Sequence, residues 1–265
     1  MLAAGLPMAA VSRYRLTTRE RRVLAALAVA GAAVCVWLAL ASVASMAAMP
    51  MAGLDRKMVV AVLEATPLGV ALHVRVGALA AFLLALLLTD RPAVVALPGM
   101  VALASVALTG HAGAEEGAVG LGLQISDAVH VLAAALWFGT LIRFLTAALR
   151  RAGHPPLLGD LARFARTGTG IVAILAISGS WNALAITRHG WSATSGWSIW
   201  LGVKLVFFLA ALTLAALNRW RFTPALERGE GGARERLVLS LLAEIGCLVA
   251  IIVIVARFGL LNPAG

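Results

Sequence analysis

Residues 46–51 read Met-Ala-Ala-Met-Pro-Met, so Met46, Met49 and Met51 bring three thioether sulfurs into six residues, with Met58 one short segment later. Thioethers are soft, uncharged donors that suit Cu(I) far better than zinc, magnesium or calcium. The same side chain fills irregular apolar space, so the run has a packing reading beside the chemical one. Five histidines follow: His73, His111, His130, His154 and His189. Imidazole binds copper in both oxidation states, iron and zinc, and by itself names no metal. Asp127 and His130 stand three apart, which puts them on one face of a helix. There Asp127 is placed to accept the proton of one ring nitrogen and leave the other free for a metal. As an acid at a helix start it also has a plain electrostatic role.

Membrane helices must position these side chains. Of 265 residues 62% are hydrophobic and 13% charged, and the mean hydropathy is +0.96. That excludes a soluble globule. Crossing about 30 Å of hydrocarbon takes roughly 20 apolar residues. Seven such runs appear, at about 23–45, 69–89, 92–109, 126–146, 168–186, 198–217 and 237–257. Each must be helical, because a helix satisfies its backbone within one segment. The expected fold is an all-α polytopic transmembrane helix bundle of about seven spans. The third run is short and holds Pro98 and Gly99. One helical domain, 23–257, is expected between a basic tail, 1–22, and a short tail, 258–265.

The net charge of +10 sets orientation and does not mark a nucleic-acid binder. Arginines 13, 15, 19, 21, 22, 91, 143, 150, 151, 163, 166, 219, 221, 228, 234 and 236 fall on one side of the expected spans. Arg56, Lys57, Arg188 and Arg257 fall on the other, with Arg75 and Lys204 inside spans. The positive-inside rule then puts the N-terminus in the cytoplasm and the C-terminus outside. The Met run, His73, His111, His130 and His189 thereby come to lie near the outer face, and only His154 lies inside. Met58 to Ala65 reads as a short interfacial helix. Trp191, Trp197 and Trp200 suit the membrane boundary. The apolar start, Met1 to Val11, precedes the arginines and does not read as a cleavable signal.

Ionisable groups inside a bilayer are functional suspects. Arg75 and Lys204 are expected to snorkel outward, and Glu244 to pair with a cation such as Arg143 or to line a polar path. Ser178 to Asn182 reads as close helix packing. Cys35 and Cys247 fall mid-span and read as small buried residues, with Cys35 as a thiolate ligand the alternative. There is no phosphate loop, no catalytic carboxylate pair and no CxxC, so enzymatic chemistry is not expected.

Three stretches resemble the copper resistance protein D family of bacterial inner-membrane proteins. The first is Thr109-Gly110-His111-Ala112 followed by Asp127-Ala-Val-His130-Val-Leu-Ala-Ala-Ala-Leu-Trp137-Phe-Gly139. The second is Arg163-Phe164-Ala-Arg166 leading to Ser178-Gly179-Ser-Trp181-Asn182, and the third Lys204-Leu leading into Ala215-Ala-Leu-Asn218-Arg219-Trp-Arg221. Together they cover most of 66–257. Family members often show an eighth span, and the usual tyrosine-glycine step before the sixth is here Ser195-Gly196-Trp197. The resemblance implies copper handled at the periplasmic face and carried inward, with His111 and His130 as ligands. On this reading copper, as Cu(I) in preference to Cu(II), arrives from a small periplasmic carrier. Met46, Met49, Met51 and His111 catch it and pass it to His130 and His73, with Asp127 behind His130. Two alternatives stand: a haem b electron-transfer protein with His73 and His130 as axial ligands, and a copper sensor or assembly factor that transports nothing.

Overall fold

The structure, a computed structural model, describes residues 15–110, 113, 117–149, 154–188 and 190–258, with backbone alone at 154–166 and 258. His111 and His189 lie outside the described residues, and so do the expectations resting on them. The described chain is all-α. Its long helices are α1 (Thr18–Met46), α3 (Pro67–Leu88), α5 (Gly117–Leu149), α6 (His154–Thr187), α7 (Gly196–Leu217) and α9 (Ala233–Phe258). Shorter ones are α2 (Arg56–Ala65), α4 (Pro92–Ala104) and α8 (Thr223–Glu227).

Among the described residues six helices are long and apolar enough to cross a membrane. The third expected run is instead the shorter apolar helix Pro92–Leu108, α4 closing in a 3-10 turn from Ser105 to Leu108. At 1.5 Å per α and 2.0 Å per 3-10 residue it reaches about 28 Å, just short of the hydrocarbon thickness. Two helices also begin well before their apolar runs. α5 starts at Gly117 and α6 at His154, where hydropathy suggested 126 and 168.

Local chemistry sets the ends that matter here. A capping box opens α1: Thr17 Oγ1 accepts from the Glu20 N–H at 3.2 Å, and Glu20 Oε2 accepts from the Thr17 N–H at 2.9 Å. A Schellman turn closes it. The Met49 N–H reaches Ala44 O at 3.1 Å and the Ala48 N–H reaches Ser45 O at 3.2 Å. Ala48 takes the left-handed position, at φ 50°, where glycine is usual. Asp55 Oδ1 accepts from the Met58 N–H at 2.7 Å and starts α2, two residues before the expected interfacial helix. Pro67 opens α3, where its missing N–H costs nothing.

The chain divides into two compact units, 1–132 and 133–265, with the division inside α5. In the first, α1, α3 and α4 pack around Leu24, Ala28, Phe82, Leu86, Val95 and Ala96. The small Ala28 and Ala96 suit close helix approach in a membrane, where packing rather than water exclusion drives association. In the second, Trp137, Phe144, Leu175, Ala211, Leu237 and Leu241 form the core. Trp137 meets Phe208 edge to face at 6.1 Å and 77°.

Candidate functional site

The first unit holds the soft donors. Met46 is the last residue of α1 and is 60% exposed, and Met51, at the start of a 3-10 turn, is 38% exposed. Met49 is half-buried, its sulfur 3.7 Å from where a Cβ on Gly53 would stand. The run therefore presents two open thioethers and tucks the third over the turn.

His73 is exposed and lies six residues into α3, about 9 Å from its start. Its Nδ1 is 2.7 Å from the Gly69 carbonyl oxygen. A carbonyl only accepts, so Nδ1 is the donor, and in the neutral ring Nε2 is the nitrogen left for a ligand. Gly69 itself is constrained, because a Cβ there would collide with the Leu63 carbonyl at the end of α2. The tight α2–α3 corner thus fixes the acceptor that orients His73.

His130 lies thirteen residues into α5, about 20 Å from its start, and is half-buried, as is Asp127 one turn before it. The early start of α5 therefore puts His130 much farther from its helix start than His73 is from its own. Among the described residues no three His, Cys, Asp or Glu side chains gather into a metal-binding group. Cys35 and Cys247 are free and half-buried.

Arg75 reaches the 3-10 turn that follows α4. Its Nε donates to Ser105 Oγ at 3.1 Å and its Nη2 to Ser105 O at 3.0 Å, while Ser105 Oγ donates to Ala102 O at 2.7 Å. Helix ends leave carbonyls unbonded, and where α4 turns into 3-10 geometry Arg75 satisfies one.

The second unit holds a centre that sequence reading left unassembled. Glu244, in the middle of α9, is 1% exposed. Trp137 Nε1 of α5 donates to its Oε1 at 2.8 Å. Asn218 Nδ2 donates to its Oε2, also at 2.8 Å. The expected Arg143 pairing is replaced by these two neutral donors. Asn218 opens a π-helical segment, Asn218–Phe222, in which the Thr223 N–H reaches back five residues to Asn218 O. Pro224 gives the reason: it has no N–H to continue the α-helical ladder, so the backbone re-registers before it. The available signals were a glutamate inside an apolar run and an asparagine six residues ahead of a proline.

Comparison with known proteins supplies the family. A family profile described as copper resistance protein D matches residues 158–258, and one described as the copper resistance protein D-like N-terminal domain matches 1–123. The likeness thus begins earlier than 66 and takes in the Met run. Asp127, His130 and Trp137 fall between the two matched stretches. A copper resistance protein D from Pseudomonas syringae pv. tomato is 33% identical over 183 residues, 64% of this chain and 58% of that protein. The inner membrane protein YebZ of Escherichia coli (strain K12) is 28% identical over 156 residues, 58% of this chain and 54% of that protein. The matched part thus spans little more than half the length of either relative. No solved structure matches. With six candidate spans and these relatives, the chain is a multi-pass inner-membrane protein. It belongs to the copper resistance protein D family.

Proposed function

We propose that the protein binds copper on the periplasmic side of the inner membrane and carries it inward. One observation favours this reading. The exposed thioethers of Met46 and Met51 lie at and just beyond the end of α1, and the open Nε2 of His73 lies within two turns of the start of α3, so soft and borderline donors share one end of the first unit. The arginine asymmetry assigns that end to the periplasm. Neutral thioether and imidazole donors hold Cu(I) without a compensating charge and release it readily. Met46, Met49, Met51 and His111 would receive the ion, from a small carrier protein, and His73 and His130 would take it on, with Asp127 holding the His130 ring. The cation is cargo, and no enzymatic step is involved.

Metal analysis of the purified protein tests this. Wild type should retain copper, His111→Ala and His130→Ala should abolish it, and removing the three methionines together should weaken it. Sealed-vesicle flux then separates transport from sensing. A copper-free wild type, or one whose copper ignores these substitutions, overturns the reading. A visible spectrum distinguishes the haem alternative, because bis-His haem b gives an intense Soret band.

A further inference from the structure

We propose that Glu244, Asn218 and Ser240 form an oxygen-lined binding site for a small monovalent cation of the sodium class, inside the second unit. The inference shares no residue with the copper reading and does not rest on it.

Three observations converge. Among the described residues Glu244 has only neutral partners: the indole N–H of Trp137 on one oxygen and the amide of Asn218 on the other. A carboxylate at this depth, buried and matched by no side-chain cation among the described residues, is costly in a membrane unless a positive charge accompanies it. The second observation is the pair of polar atoms left over beside it. Asn218 Oδ1 and Ser240 Oγ have no hydrogen-bond partner, although their residues are only 7% and 6% exposed. Asn218 Oδ1 belongs to the same amide whose nitrogen holds Oε2, so it lies a few ångströms from the carboxylate. Ser240 is one turn before Glu244 on the buried stripe of α9 that also carries Leu237, Leu241 and Leu248. The third is the backbone. Pro224 offers no N–H to the carbonyls of Arg219 or Trp220, so the π segment beside the site is not a closed hydrogen-bond ladder. Carbonyls released from the ladder at a helix end are oxygen donors of the same hard class.

The donor chemistry names the ligand class. Carboxylate, amide and hydroxyl oxygens are hard donors, with neither thioether nor imidazole among them, which disfavours Cu(I). One carboxylate balances one positive charge, whereas calcium sites draw on six to eight oxygens and usually several carboxylates. A small monovalent ion fits both counts.

The test is equilibrium binding of radioactive sodium ion to the full-length purified protein, with choline chloride holding the ionic strength. Wild type should bind saturably. Glu244→Gln should lose binding, and Asn218→Ala and Ser240→Ala should each weaken it about tenfold or more. Glu230→Gln, at an exposed carboxylate paired with Arg228 and Arg236, should change nothing. Glu244→Gln keeps an oxygen for Trp137, and the Asn218 amide turns over to accept from the new amide, so the variant folds. Near-ultraviolet circular dichroism checks that it has. A wild type that binds no more sodium than folded Glu244→Gln overturns the proposal. So does an infrared carboxylic-acid band, absent from Glu244→Gln, that persists in saturating sodium. The copper content of His130→Ala is read separately, so neither proposal's failure is mistaken for the other's.

Discussion

Replacing Trp137 by Phe removes the indole N–H from Oε1 of Glu244 while leaving an aromatic ring in the core of the second unit. In soluble proteins a hydrogen bond to a charged group contributes about 1.5–3 kcal/mol. Between membrane helices the average is nearer ~0.6 and the maximum near ~1.7, because the unfolded state in the membrane also finds partners. Trp137 is 2% and Glu244 1% exposed, and the bond is 2.8 Å long, so the upper end applies, about 1.5 kcal/mol. Shrinking indole to phenyl beside Phe208 loses some packing and adds about 1 kcal/mol. The expected total is roughly 2–3 kcal/mol.

A double-mutant cycle isolates the bond from the packing. In a Glu244→Leu background the acceptor is gone, so Trp137→Phe should cost only its packing share, about 1 kcal/mol. The coupling of about 1.5 kcal/mol is then the bond itself. Unfolding of the purified protein in mixed micelles, followed by near-ultraviolet circular dichroism, measures all four corners. A coupling below about 0.3 kcal/mol, the scatter of independent sites, would refute the assignment of Trp137 as a partner that holds Glu244.

The first unit yields two stability tests. Ala48→Gly should stabilise by about 1 kcal/mol, because a left-handed alanine is strained where glycine is not, and the midpoint in the same assay should rise. Gly69→Ala should destabilise by about 2–3 kcal/mol, since the new methyl meets the Leu63 backbone rather than a flexible side chain. If the corner orients His73 as argued, Gly69→Ala should also lower copper retention at temperatures where the protein is still folded.

Length and apolarity made the spans legible, because bilayer thickness is what they measure. The same signal does not report where the helices α5 and α6 begin. Hydropathy reports where hydrocarbon begins, whereas the helices run on through the glycine-rich 117–125 and beyond the His154-Pro155-Pro156 start. Residue type gave the candidate donors but not their surroundings: the bond that turns Nε2 of His73 outward comes from a backbone carbonyl one turn away. Glu244 was visible as an anomaly, and its partners were not. Trp137 lies 107 residues from it and Asn218 26, and neither is charged, so no complementary sign pointed to them.

The arginines show a second reading of a pattern used at first only for orientation. Every helix ends with carbonyls that have no partner in the next turn, and lipid offers no donor. Arg21 donates to the carbonyls of Leu86 and Leu87 at the end of α3, and Arg234 Nε to Ala148 O, at 2.7 Å, near the end of α5. Both ends lie on the side that the charge count assigns to the cytoplasm, so the cations from which that orientation is read also close helices against the negative pole of the dipole. α1 ends on the opposite side with no basic residue in its last turn. There the backbone closes itself through the Schellman turn, at the cost of strain in Ala48. The negative pole of α1 is thus left uncapped by side-chain charge at the residues that carry Met46 and Met49. An arginine in that turn would satisfy the carbonyls without strain and would repel an arriving copper ion. The uncharged end of α1 therefore suits the cation entry proposed at the Met run.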